Sequence, residues 1–153
     1  MEDKIYLFCD GGCRGNQEKV NIGGWGVLLQ YKGSEKELCG GTRNTTNNKM
    51  ELTSAIEGLK EIKNKTLPVE VVMDSQYVIK GITEWVNGWV RRNWQTSKKT
   101  PVENRELWES LLELKKQFTD ISFKQVLGHS GHYGNEKADF LANKAMDEIE
   151  RNN

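Results

Sequence analysis

Proline and cysteine are scarce in this chain of 153 residues, with two of the first and three of the second. With so little proline and no low-complexity tract, nothing in the composition suggests an extended linker, so one folded domain over residues 1–153 is expected. Cys9, Cys13 and Cys39 are odd in number and lack a Cys-x-x-Cys spacing, which argues against a disulfide framework and for reduced thiols. Long apolar runs are also missing. The first one covers only residues 5–9, too short for a secretory signal or for the ~20 residues of a membrane span. The expected protein is therefore soluble and cytoplasmic, with no membrane partner. An excess of charge is absent too: 22 Lys and Arg balance 22 Asp and Glu. That balance excludes a uniformly basic nucleic-acid binder. Hydrophobic residues at 36% and charged residues at 29% suit a chain that builds a core rather than a disordered one.

The hydrophobic pattern sets out a mixed α/β order. Residues 5–10 are apolar on both alternating faces, as in a central strand. Residues 23–32 and 35–44 read as two further strands, joined at Lys32-Gly33-Ser34 by a hairpin signal. Over 46–63 the period becomes helical, with Leu52, Ala55, Ile56, Leu59 and Ile62 on one stripe and Thr46, Asn47 and Asn48 as cap candidates. A short buried strand follows at 69–74, helical segments at 75–90 and 103–117, and a last strand at 121–127. A final helix over 135–150 carries Ala138, Leu141, Ala142, Ala145 and Ile149 on one stripe, with Asn135 at its cap. Three hairpin-linked strands, then alternating helices and strands, describe a mixed sheet in one domain.

Four acids stand beside this apolar framework. Asp10 ends the first strand and Asp74 the fourth; as parallel neighbours they would lie ~5 Å apart at the carboxyl edge of the sheet, where open α/β sheets place their sites. Glu51 and Asp139 border the stripes of the first and last helices. Carboxylates this close raise one another's pKa, and two divalent cations would relieve the repulsion while clamping the oxygens of a phosphoryl displacement. Hard oxygen ligands suit magnesium or manganese better than zinc. Each acid also has an ordinary reading: Asp10-Gly11 as a turn, Glu51 as the partner of Asn48 in a capping box, Asp139 as a charge favouring a helix N-terminus.

Read together, Phe8-Cys9-Asp10-Gly11, Thr46-Asn47-Asn48-Lys49-Met50-Glu51-Leu52, Asp74-Ser75-Gln76-Tyr77-Val78, Gly128-His129-Ser130-Gly131-His132 and Gly134-Asn135-Glu136-Lys137-Ala138-Asp139 resemble type 1 ribonuclease H. The match keeps its order over nearly the whole chain. The resemblance implies a ribonuclease H-like fold, a five-stranded mixed sheet flanked by helices. It also implies endonucleolytic hydrolysis of the RNA strand of an RNA–DNA hybrid, leaving 5′-phosphate and 3′-hydroxyl ends. Another nuclease or a strand transferase on the same fold, or a non-catalytic hybrid-binding module, are the competing readings.

By that resemblance the metal ligands fall on Asp10, Glu51, Asp74 and Asp139, holding two Mg2+ ions with substrate, Mn2+ being a substitute. Asp10 would touch both ions, Asp74 and Glu51 mainly one, and Asp139 the other. His129 takes the family's slot for proton handling or product release; its ordinary reading is a solvated loop residue. Cys13, Asn16, Asn47, Asn48 and Gln76 match positions that read the minor groove, where the 2′-hydroxyl marks RNA. Thr46 and Asn104 match a pocket for a DNA phosphate. Trp85 and Trp89 would line a channel beside Arg91 and Arg92, unless these tryptophans are core anchors. Residues 89–105 hold five cations against Glu103 alone, a net +4. Two departures stand out. Asn44 occupies a position where the family often has arginine, with Arg43 one step earlier, and the link over 16–23 is longer than usual. A monomer satisfies everything read so far.

Overall fold

The structure is a computed structural model that describes residues 3–15, 20–127 and 132–152. Its sheet has the order β3-β2-β1-β4-β5. The strands are β1 (Ile5–Arg14), β2 (Ile22–Tyr31), β3 (Ser34–Arg43), β4 (Val69–Met73) and β5 (Ile121–Gln125). β1, β2 and β3 pair antiparallel, whereas β4 runs parallel to β1 and β5 parallel to β4. This is the expected five-stranded mixed sheet.

Alternation along the central strands divides the core in two. Leu7, Cys9, Val27, Val71 and Met73 face one way and bury against Leu52, Ala55, Ile56 and Leu59 of α1 (Asn47–Glu61). Phe8, Leu28 and Val72 face the other way, onto Ala138 of α5 (Tyr133–Arg151). Residues buried on both faces explain why the central strands read as near-continuous apolar runs. The outer strand β3 carries exposed Glu35, Lys36 and Glu37, charges that discourage edge-to-edge pairing.

Thr46 caps α1, its hydroxyl accepting from the Lys49 N–H at 3.1 Å. The helical stretch expected over 75–90 consists of three pieces: α2 (Gln76–Lys80), a widened π turn (Gly81–Trp85) and α3 (Val86–Arg91). α4 (Arg105–Lys116) follows and buries Trp108 fully. The last helix begins at Tyr133 after His132, so Asn135 lies inside it, 4% exposed, and is not its cap.

Candidate active site

Two strand ladders end at different places, and the site opens between them. The β1–β4 ladder stops at Phe8–Val72, while β1 continues against β2 as far as Arg14–Ile22. Asp10 and Asp74 each lie two residues past that last parallel pair, which puts them side by side where the strands part. Asp10-Gly11 is therefore no turn: the strand runs straight through it. Gly11 serves a different purpose. A Cβ at that position would collide with the backbone of Met50 and Glu51, so its absence lets the first turns of α1 lie against β1 and bring Glu51 to the cleft. Thr46, not Asn48, caps the helix, so Glu51 is not needed for a capping box.

Carboxylate oxygens of Asp10, Glu51 and Asp74 all lie within 4.8 Å of one another. Asp139 comes from the second turn of α5, not from its terminus, and lines the same cleft with Gly11, Asn47, Asn135 and Glu136. It stands outside the tight trio but shares a hydrogen bond with Asp10. Among the described residues, Glu51 Oε1 and Asn135 Oδ1 are buried oxygens with no hydrogen-bond partner. An orphaned carboxylate oxygen carries a desolvation cost that a cation would remove.

The electrostatics point the same way. Burial first, then the hydrogen bond that the protonated carboxyl donates to Asp139 and the charge of Asp74, hold the Asp10 carboxyl well above the ordinary range. Burial and the charges of Asp10 and Asp74 do the same to Glu51, and the Gly11 N–H offsets only part of either rise. The donor set is all carboxylate oxygen, which suits a hard divalent ion. Trio and orphan oxygen together fit such an ion.

The remaining predicted residues fall around this centre. Asn47 lines the cleft, Asn48 and Gln76 are exposed at the starts of α1 and α2, and Cys13 is half-buried on β1. Asn16 and His129 lie outside the described residues. Asn104 stands at the head of α4 in the left-handed region (φ 60°), where its amide donates to the Tyr77 hydroxyl at 3.1 Å. Trp108 Nε1 donates to that same oxygen at 3.0 Å. Trp89 is half-buried against the core. Trp94 is a buried anchor; Trp85 is 38% exposed and lines a groove with Trp89, Arg91 and Arg92. Arg43 donates to the Ile149 carbonyl of α5 at 3.4 Å, on the sheet face away from α1. Asn135 was missed as a site residue, because a polar residue ahead of an apolar stripe reads as a cap.

A five-stranded mixed sheet with a carboxylate centre at the end of two parallel strands defines an α/β protein built to hold divalent cations. The RNase H family profile matches residues 2–147. A ribonuclease H of Coxiella burnetii is 55% identical, over 95% of this chain and 91% of its own length. A ribonuclease HI of Pseudomonas syringae pv. tomato is 53% identical, over 97% and 96%. Among solved structures, LC9-RNase H1, a type 1 RNase H with the type 2 active-site motif, is 31% identical with a TM-score of 0.84, covering 97% of this chain and 74% of that one. LC11-RNase H1, solved in complex with RNA/DNA hybrid, shares the fold at a TM-score of 0.72 and 24% identity, covering 95% and 98%. The chain belongs to the RNase H family, and its enzymatic class is that of an RNA–DNA hybrid ribonuclease. No helix among the described residues is long and apolar enough to cross a membrane.

Proposed function

We propose that the chain hydrolyses the RNA strand of RNA–DNA hybrids with two Mg2+ ions, Mn2+ substituting, held by Asp10, Glu51, Asp74 and Asp139. The observation that carries this reading is the trio of carboxylates within 4.8 Å, one of them with a buried, unpartnered oxygen. Divalent ions held by these acids would supply the charge that activates a water for in-line attack and stabilises a leaving 3′-oxygen, so that a 5′-phosphate is left. Asp10 lies beside Glu51 and Asp74 and shares a hydrogen bond with Asp139, so it would be a ligand common to both ions. Glu51 and Asp74 would hold mainly one ion and Asp139 the other. His129 handles protons or helps release product.

Recognition of the substrate falls to the rim. Cys13, Asn16, Asn47, Asn48 and Gln76 read the 2′-hydroxyl side of the hybrid, where RNA differs from DNA. Thr46 and Asn104 hold a phosphate of the DNA strand. The half-open tryptophans Trp85 and Trp89, with Arg91 and Arg92, grip that strand through sugar faces and phosphates. Three free thiols suit a cytoplasmic enzyme, and the complete set of acids on one chain suits a monomer.

The test uses three duplexes of one sequence: RNA–DNA hybrid, DNA and RNA, each with the strands labelled separately. Cleavage confined to the RNA strand of the hybrid, with 5′-phosphate products, is the expected result. Equal cleavage of all three duplexes would contradict the reading.

A further inference from the structure

Among the described residues, the side-chain hydrogen bonds of Arg14 lead to one face of α5. Its Nη1 donates to Asp147 and to Glu150, each at 2.6 Å. Its Nη2 donates to the side-chain oxygen of Asn143 at 2.8 Å and to the Asn143 carbonyl at 3.3 Å. Residues 143, 147 and 150 follow the i, i+4, i+7 spacing of a single helical stripe. The planar guanidinium thus spans two turns of the helix with a fixed fork, which an ammonium group would not do.

Asn143 looks the other way as well. Its Nδ2 donates to the Asp139 carbonyl at 2.9 Å and lies 3.4 Å from the Asp139 carboxylate oxygen. An amide has one acceptor end and one donor end. Because Arg14 occupies the oxygen, the NH2 group must face Asp139. Arg14 itself sits four residues beyond Asp10 on β1, so the chain of contacts links the strand carrying one site acid to the helix carrying another.

We propose that Arg14 and Asn143 are positioning residues for Asp139: Arg14 fixes the orientation of the Asn143 amide, which holds the Asp139 carboxylate toward Asp10. This rests on the reading of Asp139 as a cation ligand. Groups that orient metal ligands from behind commonly contribute about ten- to a hundredfold in ion affinity.

The test compares Arg14→Ala, Arg14→Gln, Asn143→Ala, the Arg14→Ala/Asn143→Ala double variant and Lys137→Ala. The last removes an ion pair with Glu37 from the same helix without touching this chain of contacts. Two readouts are taken: the Mg2+ half-saturation of hybrid cleavage against kcat at saturating ion, and the side-chain amide NMR signals of Asn143. The proposal expects the half-saturation to rise about tenfold in both Arg14 variants and in Asn143→Ala. It also expects kcat at saturating Mg2+ within about twofold, no further rise in the double variant, and an Asn143 amide that loses its distinct signals in the Arg14 variants. Unchanged half-saturation, effects that multiply in the double variant, an unmoved amide signal or an equal effect of Lys137→Ala would each overturn it. Wild-type protein that fails to cleave the hybrid would instead overturn the functional reading itself.

Discussion

Asp10 and Gly26 are direct register partners across the β1–β2 ladder. The missing side chain of Gly26 is what lets α5 approach at that level: a Cβ there would collide with the Ala138 carbonyl, one residue before Asp139. Gly11, beside Asp10, makes the corresponding room for α1 at Glu51 on the other face. Two glycines flanking one aspartate thus admit the two helices that supply the other-element acids.

Substituting either glycine by alanine should therefore damage both stability and site geometry. The obstructing atoms are backbone, which cannot swing aside, so overpacking of about 2 kcal/mol is expected, a Tm loss of about 5 °C in a domain of this size. Thermal unfolding in EDTA measures this. A Gly26→Ala variant as stable and active as the parent would show that α5 does not need so close an approach.

The raised pKa values of Asp10 and Glu51 give a signed pH dependence. Both carboxyls ionise less readily in the fold than in the unfolded chain, so between the ordinary value of about 4 and the raised one the folded protein holds protons that the unfolded chain has lost. Without a divalent ion, stability should decline as pH rises through that window. Mg2+ needs the ionised ligands, so the Tm gained on adding it should grow from about pH 5 to about pH 8. Melting curves with Mg2+ and with EDTA across this range would contradict the account if the gap stayed constant.

Removing one charge from the cluster should relieve the repulsion. Asp10→Asn is expected to raise the Tm in EDTA by about 3 °C, equivalent to about 1 kcal/mol, and to lose most of the stabilisation by Mg2+. A variant that melts lower than the parent in EDTA would mean Asp10 holds the fold together rather than holding an ion.

Arg91 and Arg92 are exposed beside a groove that also shows Trp85. The double change to alanine should weaken hybrid binding and flatten the plot of log affinity against log salt by about two units, one for each phosphate that the arginines neutralise. Binding titrations at several salt concentrations check it. An unchanged slope would place the cationic grip elsewhere.

The order of strands and helices was legible in the sequence because it rests on local periodicity and hairpin signals, and the acids were visible because each borders an apolar stripe. What periodicity could not show are distances between elements. Asp10-Gly11 looks like a turn until the strand is seen to continue, with α1 resting on the glycine. Asn135 looks like a cap until α5 is seen to start at Tyr133. The grouping of Asp10, Glu51 and Asp74 with Asp139 slightly apart depends on where the β1–β4 ladder ends, which no single segment encodes. The path from Arg14 through Asn143 to Asp139 crosses from strand to helix over more than a hundred residues of chain, and neither residue type marks it.

In the reading proposed above, the acids at the parting of β1 and β4 act through divalent ions on the RNA of a hybrid. The measurement is cleavage of a hybrid labelled on its RNA strand, by wild type and by Asp10→Asn, in Mg2+ and in EDTA. The account predicts RNA cleavage by the wild type in Mg2+, none in EDTA, and a loss of about a hundredfold or more in Asp10→Asn, which removes a direct ligand rather than a supporting group. Cleavage that persists in EDTA, or near-normal turnover by a folded Asp10→Asn, would contradict it.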